Sequence, residues 1–292
     1  MNGFVVLDKE AGMTSFQSAA FVRKLYQEKK TGHTGTLDPM ATGVLPVALG
    51  RATRFIDLLP DHDKAYLARF RLGVATDTLD ITGTVLRTRP VHADAAAIEA
   101  LLPRFTGEIE QTPPMYSALR VNGKRLYELA RAGEEIDRAA RRITVYSLTL
   151  TGRTGENEYE LAVECSKGTY VRSLAADLGE ARGCGAVLTA LRRTKANGFT
   201  LAQARSPEAL AADPAGALLP TEAPFTALPA VRVTEKQATR FLNGGALSAD
   251  RLSAPERPGR VRVLSPDGVF LGLGTYPEER TGALIPLRVT DV

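Results

Sequence analysis

A chain of 292 residues with a formal net charge of +4 has room for about two domains and a sizeable core. It shows no charged-then-apolar leader and no apolar run long enough to span a bilayer, and its two cysteines, Cys165 and Cys184, are too few for a disulfide framework. A soluble protein of the reducing cytosol, without a disulfide framework, is expected. A pI near 9.1 suits a polyanionic partner. Arginine outnumbers lysine by 28 to 9, and its planar fork suits phosphates, although a proteome rich in Ala and Arg explains the excess as well. His33, His62 and His92 share no ligand spacing and no C-x-x-C occurs, so no metal site is expected.

Residues 3–7 read as a first strand. Thr14 or Ser15 can cap the helix that follows, with Phe16, Ala19, Ala20 and residues 22–26 as its apolar stripe. Lys9 and the pairs Arg23-Lys24 and Lys29-Lys30 are candidate phosphate contacts; a solvated helix face is the simpler explanation for each pair. Residues 32–43 then crowd three glycines, three threonines and a proline around one carboxylate, Asp38. Such a stretch is neither helix nor strand, because Gly permits positive φ, Pro39 removes a donor and Thr hydroxyls bond nearby backbone. The apolar run 44–49 behind it reads as a buried strand that anchors the loop. A stiff loop beside a core strand can present a catalytic acid; it can equally be a glycine-rich turn with a solvated Asp. No Walker loop, no dinucleotide fingerprint and no G-x-S-x-G accompanies it.

Residues 51–59 read as a short helix, and 64–73 alternate as a half-buried strand with Tyr66 near its start. A polar turn occupies 76–83, and an Ala- and Leu-rich helix 94–105. Residues 111–120 extend into a strand, Asn122-Gly123 signals a turn, and 124–132 read as a helix. Two antiparallel strands cover 142–151 and 158–166. A helix follows over 173–182, with Tyr170 and Arg172 at its approach; on the residues alone, Arg172 is a surface cation. Residues 213–230 read as linker and short helix. The remainder has its own pattern, a helix over 234–243 and strands at 261–265 and 269–276. Helices alternating with hairpin-joined strands give a mixed α/β (α+β) class with a largely antiparallel central sheet.

The stretch GHTGTLDPMATGVLPVALGRATRF, residues 32–55, resembles the catalytic motif of the TruB family of tRNA pseudouridine synthases. Asp8-Lys9-Glu10-Ala11-Gly12-Met13-Thr14-Ser15 resembles the family's first motif, with Glu10 in place of a proline. Lys64-Ala65-Tyr66 before Leu72-Gly73 resembles the second. Lys167-Gly168-Thr169-Tyr170-Val171-Arg172 resembles the third, and the segment around Leu191-Arg192-Arg193-Thr194 the closing one, with Val187 where a histidine is usual. Residues 111–133 also resemble the family, with Arg120 for a lysine.

The resemblance implies the pseudouridine synthase fold over residues 1–229 and a small PUA-like RNA-binding module over 230–292. It implies that uridine 55 in the T-loop of tRNA is isomerised without metal or cofactor. Asp38 is then the catalytic acid, as nucleophile or as base; Tyr66 stacks on the flipped base; Arg172 pairs with Asp38 and holds it ionised. His33 supports the loop or fills the gap left by the base, Leu191 lines the pocket, and Lys9, Tyr170, Arg192 and Arg193 are substrate-binding candidates. Short termini without Lys-rich tails favour a stand-alone, bacterial type of enzyme, and a monomer with no obligate protein partner is expected. An RNA-folding module and a ribonucleoprotein subunit with incidental catalysis are the alternatives.

Overall fold

The computed structural model describes residues 1–121 and 123–290. Among these, nine strands form one large sheet, whose main path runs Gly3–Lys9, Thr42–Leu49, Ala186–Ala196, Lys64–Leu72, Glu158–Cys165, Arg141–Gly155 and Gly107–Gln111. Neighbours are antiparallel except Thr42–Leu49 beside Ala186–Ala196, which are parallel. The Gly3–Lys9 strand is buried on both faces: Val5 and Leu7 enter one core, Phe4 and Val6 another. In Lys64–Leu72 only one face is covered: Tyr66, Ala68, Phe70 and Leu72 point inward while Arg69 and Arg71 are exposed, as the alternation predicts.

The first core is roofed by helices Ser15–Leu25 and Val171–Ala181. Thr14 caps the former in a reciprocal box with Gln17, which leaves Ser15 free for a different contact described below. The latter begins two residues earlier than its sequence suggests, which places Arg172 in its first turn. The expected helix 94–105 is split into Ala95–Glu99 and a 3-10 turn Leu102–Phe105, because Pro103 cannot donate to a continuing helix. The expected helix 124–132 is Leu126–Arg131, since Lys124 and Arg125 pair as a short strand with Arg120 and Val121. Gly123 has φ 82°, and Asn122 of that expected turn lies outside the described residues.

Ala186–Ala196 is a central strand that periodicity does not announce. It is bulged between Leu188 and Ala190 and again between Arg193 and Lys195, so its side chains change face along its length. A second, five-stranded sheet covers residues 230–289, with its own core around Val231, Phe241, Val261 and Leu284. No helix among the described residues is long and apolar enough to cross a membrane.

Candidate active site

Asp38 sits on a loop fastened on both sides. Ahead of it, Arg193 donates to the carbonyls of Gly35 (3.1 Å) and Thr36 (3.2 Å), and past it to that of Val44 (2.8 Å). Ser15 Oγ donates to Leu37 O at 3.0 Å and accepts from Leu37 N at 2.8 Å. Behind it, Lys9 Nζ donates to Pro39 O (3.2 Å) and Ala41 O (2.6 Å), and also to Glu10 O (2.8 Å). Gly43 closes the loop at φ 102°, where a Cβ would collide with the Arg193 backbone across the parallel ladder.

These contacts correct two expectations. Lys9, a candidate phosphate contact, and Arg193, a substrate-binding candidate, are 1% and 0% exposed and spend their donors on backbone carbonyls of the loop and its flanks. Arg192 remains at the surface, but its fork is held by the Asp8 carboxylate at 2.7 and 3.1 Å, so a phosphate there would compete with an existing pair.

The Asp38 side chain is one third exposed, 33%, at the foot of Arg172. Arg172 Nε lies 2.8 Å from Asp38 Oδ2, and Nη2 donates to Oδ1 at 3.3 Å, a two-point grip. The remaining donors of Arg172 go to Thr78 O (2.9 Å) and Tyr116 O (2.8 Å). Asp80 Oδ2 stands 3.6 Å from Nη1. Loss of water raises the Asp38 pKa, and Asp80 adds to it; Arg172 opposes but does not reverse it. The expected lowering by Arg172 is thus present but outweighed.

Asp80 is the member of this group that sequence reading missed. Residues 76–83 read only as a polar turn. Within it Asp80 Oδ1 accepts from Thr78 Oγ1 (2.9 Å), Thr82 N (3.0 Å) and Thr82 Oγ1 (2.5 Å), so the turn's own threonines set the acid. Leu79 takes φ 63°, an uncommon conformation for a non-glycine, while its carbonyl accepts from Leu188 N at 3.1 Å. The signal was the spacing of Thr76, Thr78 and Thr82 around Asp80.

Tyr66 pairs in register with Arg193, the residue that clamps the loop. Its ring is 7% exposed, and burial pushes its hydroxyl up to about 12, so it is neutral at pH 7. His33 ends the short strand Thr31–His33, and its buried Nδ1 has no hydrogen-bond partner. Burial, then the Arg193 charge, lowers its pKa. Tyr170 is half-buried and precedes the Arg172 helix; Gln111 grips its backbone with Oε1 to N (2.8 Å) and Nε2 to O (3.1 Å). Leu191 is buried in the first core. Among the described residues no group of three or more His, Cys, Asp or Glu is placed to hold a metal ion.

Comparison with known proteins defines the class. The chain superposes with TM-score 0.73 and 25% identity on a chain of an H/ACA RNP bound to a substrate RNA containing 2'-deoxyuridine, covering 99% of this chain and 84% of that one. A Cbf5-Nop10-Gar1 complex gives TM-score 0.75 with the same identity and coverage. The fold is that of the pseudouridine synthases. Residues 23–171 match the TruB family pseudouridylate synthase N-terminal domain, 172–222 a tRNA pseudouridylate synthase B C-terminal domain, and 229–290 the Pseudouridine synthase II TruB C-terminal region. "tRNA pseudouridine synthase B" of Aromatoleum aromaticum is 47% identical over all of this chain and 93% of its own length. The protein of that name from an Azoarcus species is 46% identical over 99% and 95%. The chain belongs to the TruB family of pseudouridylate synthases, which are isomerases.

Proposed function

We propose that the protein isomerises uridine 55 in the T-loop of tRNA to pseudouridine, with Asp38 acting on the flipped nucleotide. The observation that carries this reading is the Asp38 carboxylate, clamped on a rigid loop and gripped at two points by the buried Arg172. The names of the relatives at 46–47% identity support tRNA as the substrate. That identity is well above the 25% shared with the H/ACA chains, which favours a stand-alone enzyme over a guided subunit.

In the reaction the bond from the sugar C1' to N1 of uracil breaks, the base turns, and C1' bonds to C5. The proton on C5 leaves to solvent and N1 takes one up, so no oxidant or reductant is consumed. Ionised Asp38 serves either as nucleophile at the sugar or as base upon it. Extruding the base costs a few kcal/mol, least in a loop already distorted. Stacking on Tyr66 offsets about 1–3 kcal/mol of this. Residues 1–229 carry the chemistry, and 230–292 act as an RNA-binding module.

The test is tritium release from 5-labelled uridine in a T-arm stem-loop, alongside a filter-binding curve. Wild-type protein should release tritium without added metal or cofactor. Asp38→Asn should bind near-normally and release none. Substantial turnover by the Asn protein, with reversion to Asp excluded by mass spectrometry, sinks the assignment.

A further inference from the structure

Beside the loop stands a cation that the reading above does not use. Lys64 lies two residues before Tyr66 on the same strand, and so on the same face. Its aliphatic stem runs along the catalytic loop: a methyl group on Gly35 would stand 3.7 Å from Lys64 Cε and 3.8 Å from Arg193 Nη1. Two cationic side chains therefore stand beside Gly35. Arg193 is satisfied by three carbonyls. Lys64 Nζ makes no hydrogen bond or ion pair among the described residues.

The neighbouring acids are engaged elsewhere. Asp61 and Glu164 share the Lys195 ammonium at 3.3 and 3.4 Å, and Asp63 accepts from Tyr146 Oη at 3.1 Å. Lys167 is exposed just past Cys165, whose backbone pairs with Lys64. Burial, then the Arg193 charge, lowers the Lys64 pKa; Cys165 and Asp63 oppose, and Lys167 adds to the lowering. A half-buried ammonium beside Arg193 and Lys167, with no hydrogen bond or ion pair of its own among the described residues, is a place where a bound anion gains.

We propose that Lys64 is a phosphate contact of the site, seating one backbone phosphodiester of the RNA strand that carries the target uridine. The placement suits it: Tyr66 faces the base, and Lys64, one step along the same strand face, meets the adjoining backbone. The inference rests on the pseudouridine synthase reading for the identity of the RNA, but its readout is binding.

The experiment uses the full chain and a T-arm stem-loop in a salt series. A true phosphate contact adds about one to the slope of log affinity against log salt. Lys64→Met should lower the slope by about one and weaken binding about tenfold at moderate salt, with the kinetic loss falling on KM. Lys64→Arg should restore the slope. A series of stem-loops, each with one neutral methylphosphonate linkage, should contain one that weakens wild-type binding about tenfold and Lys64→Met little further. In wild-type protein, bound RNA should shield Lys64 from acetic anhydride, and the same neutral linkage should restore its labelling; this arm needs no variant to fold. An unchanged slope, no linkage specific to Lys64, or labelling indifferent to RNA overturns the proposal. Binding with the Lys64 signature but no pseudouridine would overturn the functional reading alone.

Discussion

The carboxylate of Asp38 loses more by leaving water than it regains from Arg172, and this has a consequence in pH. Its pKa in the folded protein lies above the ordinary Asp value of about 3.9. Either proposed role needs the ionised form. Single-turnover rates should therefore fall on the acid side at a pH above the usual carboxylate range, and Arg172→Met, which removes the largest opposing charge, should move that limb higher still. An acid limb at or below pH 4 in wild type would mean that Arg172 outweighs burial. Arg193 makes the opposite case to a phosphate contact. Arg193→Met strands three carbonyls, each costing about 1–3 kcal/mol when buried unpaired. Chemical denaturation should show a loss of several kcal/mol, while the salt slope of RNA binding in the surviving folded fraction stays put. The pairing of Arg172 with Asp38 was legible only through the family resemblance, because on the residues alone Arg172 is a surface cation and the Asp38 loop a glycine-rich turn. Arg192 and Arg193 were not separable in sequence: adjacent arginines look alike, and only the register of the strand sends one to Asp8 and the other beneath the loop.

Two short elements hold what the motifs present. The turn carrying Asp80 presses its acid toward Arg172 through its own threonines and through the ladder contact of Leu79 with Leu188. Asp80→Asn keeps most of these bonds and removes the charge that shares Arg172. We expect kcat to drop on the order of 10²-fold by misorienting the Arg172–Asp38 pair, with KM little changed. A rise in KM at constant kcat would instead place Asp80 in substrate binding. The loop's far end depends on Gly43, where positive φ and the Arg193 backbone leave no room for a side chain. Gly43→Ala should cost more than about 1 kcal/mol in thermal unfolding, against the small gain Ala usually brings. Strands with clean alternation, such as Lys64–Leu72, were legible from sequence. Ala186–Ala196 was not, because its two bulges break the period of two and mix charged residues into a buried strand.

At the scale of the molecule, the second sheet was legible as a separate pattern but not its attachment. Phe270 and Leu273, on that sheet, enter the core beneath the first one. The Phe270 ring stacks on Phe225 at 6.3 Å and meets Phe55 at 5.9 Å, while Phe55 and Phe225 meet each other at 5.9 Å. Arg260 Nη1 donates to Leu58 O at 2.8 Å, and Arg262 bonds both Leu228 O (3.0 Å) and Glu222 (2.6 Å). Phenylalanines scattered at 55, 225 and 270 carry no local signal that they share one cluster. The attachment bears on any test of the C-terminal region as an affinity module. Ending the chain at Pro229 exposes Phe55 and Phe225, so a drop in activity could come from stability rather than from lost RNA contacts. Phe270→Ala separates the two. It should lower stability by about 2 kcal/mol, less than a fully buried Phe→Ala because Phe270 is only half-buried. Both proteins should keep their turnover number at saturating tRNA below their melting transitions, since Asp38, Arg172 and Tyr66 lie on a loop, a helix and a strand of the other sheet's unit. Only the shortened chain should bind the stem-loop more weakly. Equal weakening in Phe270→Ala would trace the affinity to how the two sheets are held together, and a collapse of saturating turnover in the folded shortened chain would give residues 230–292 a part in the chemistry.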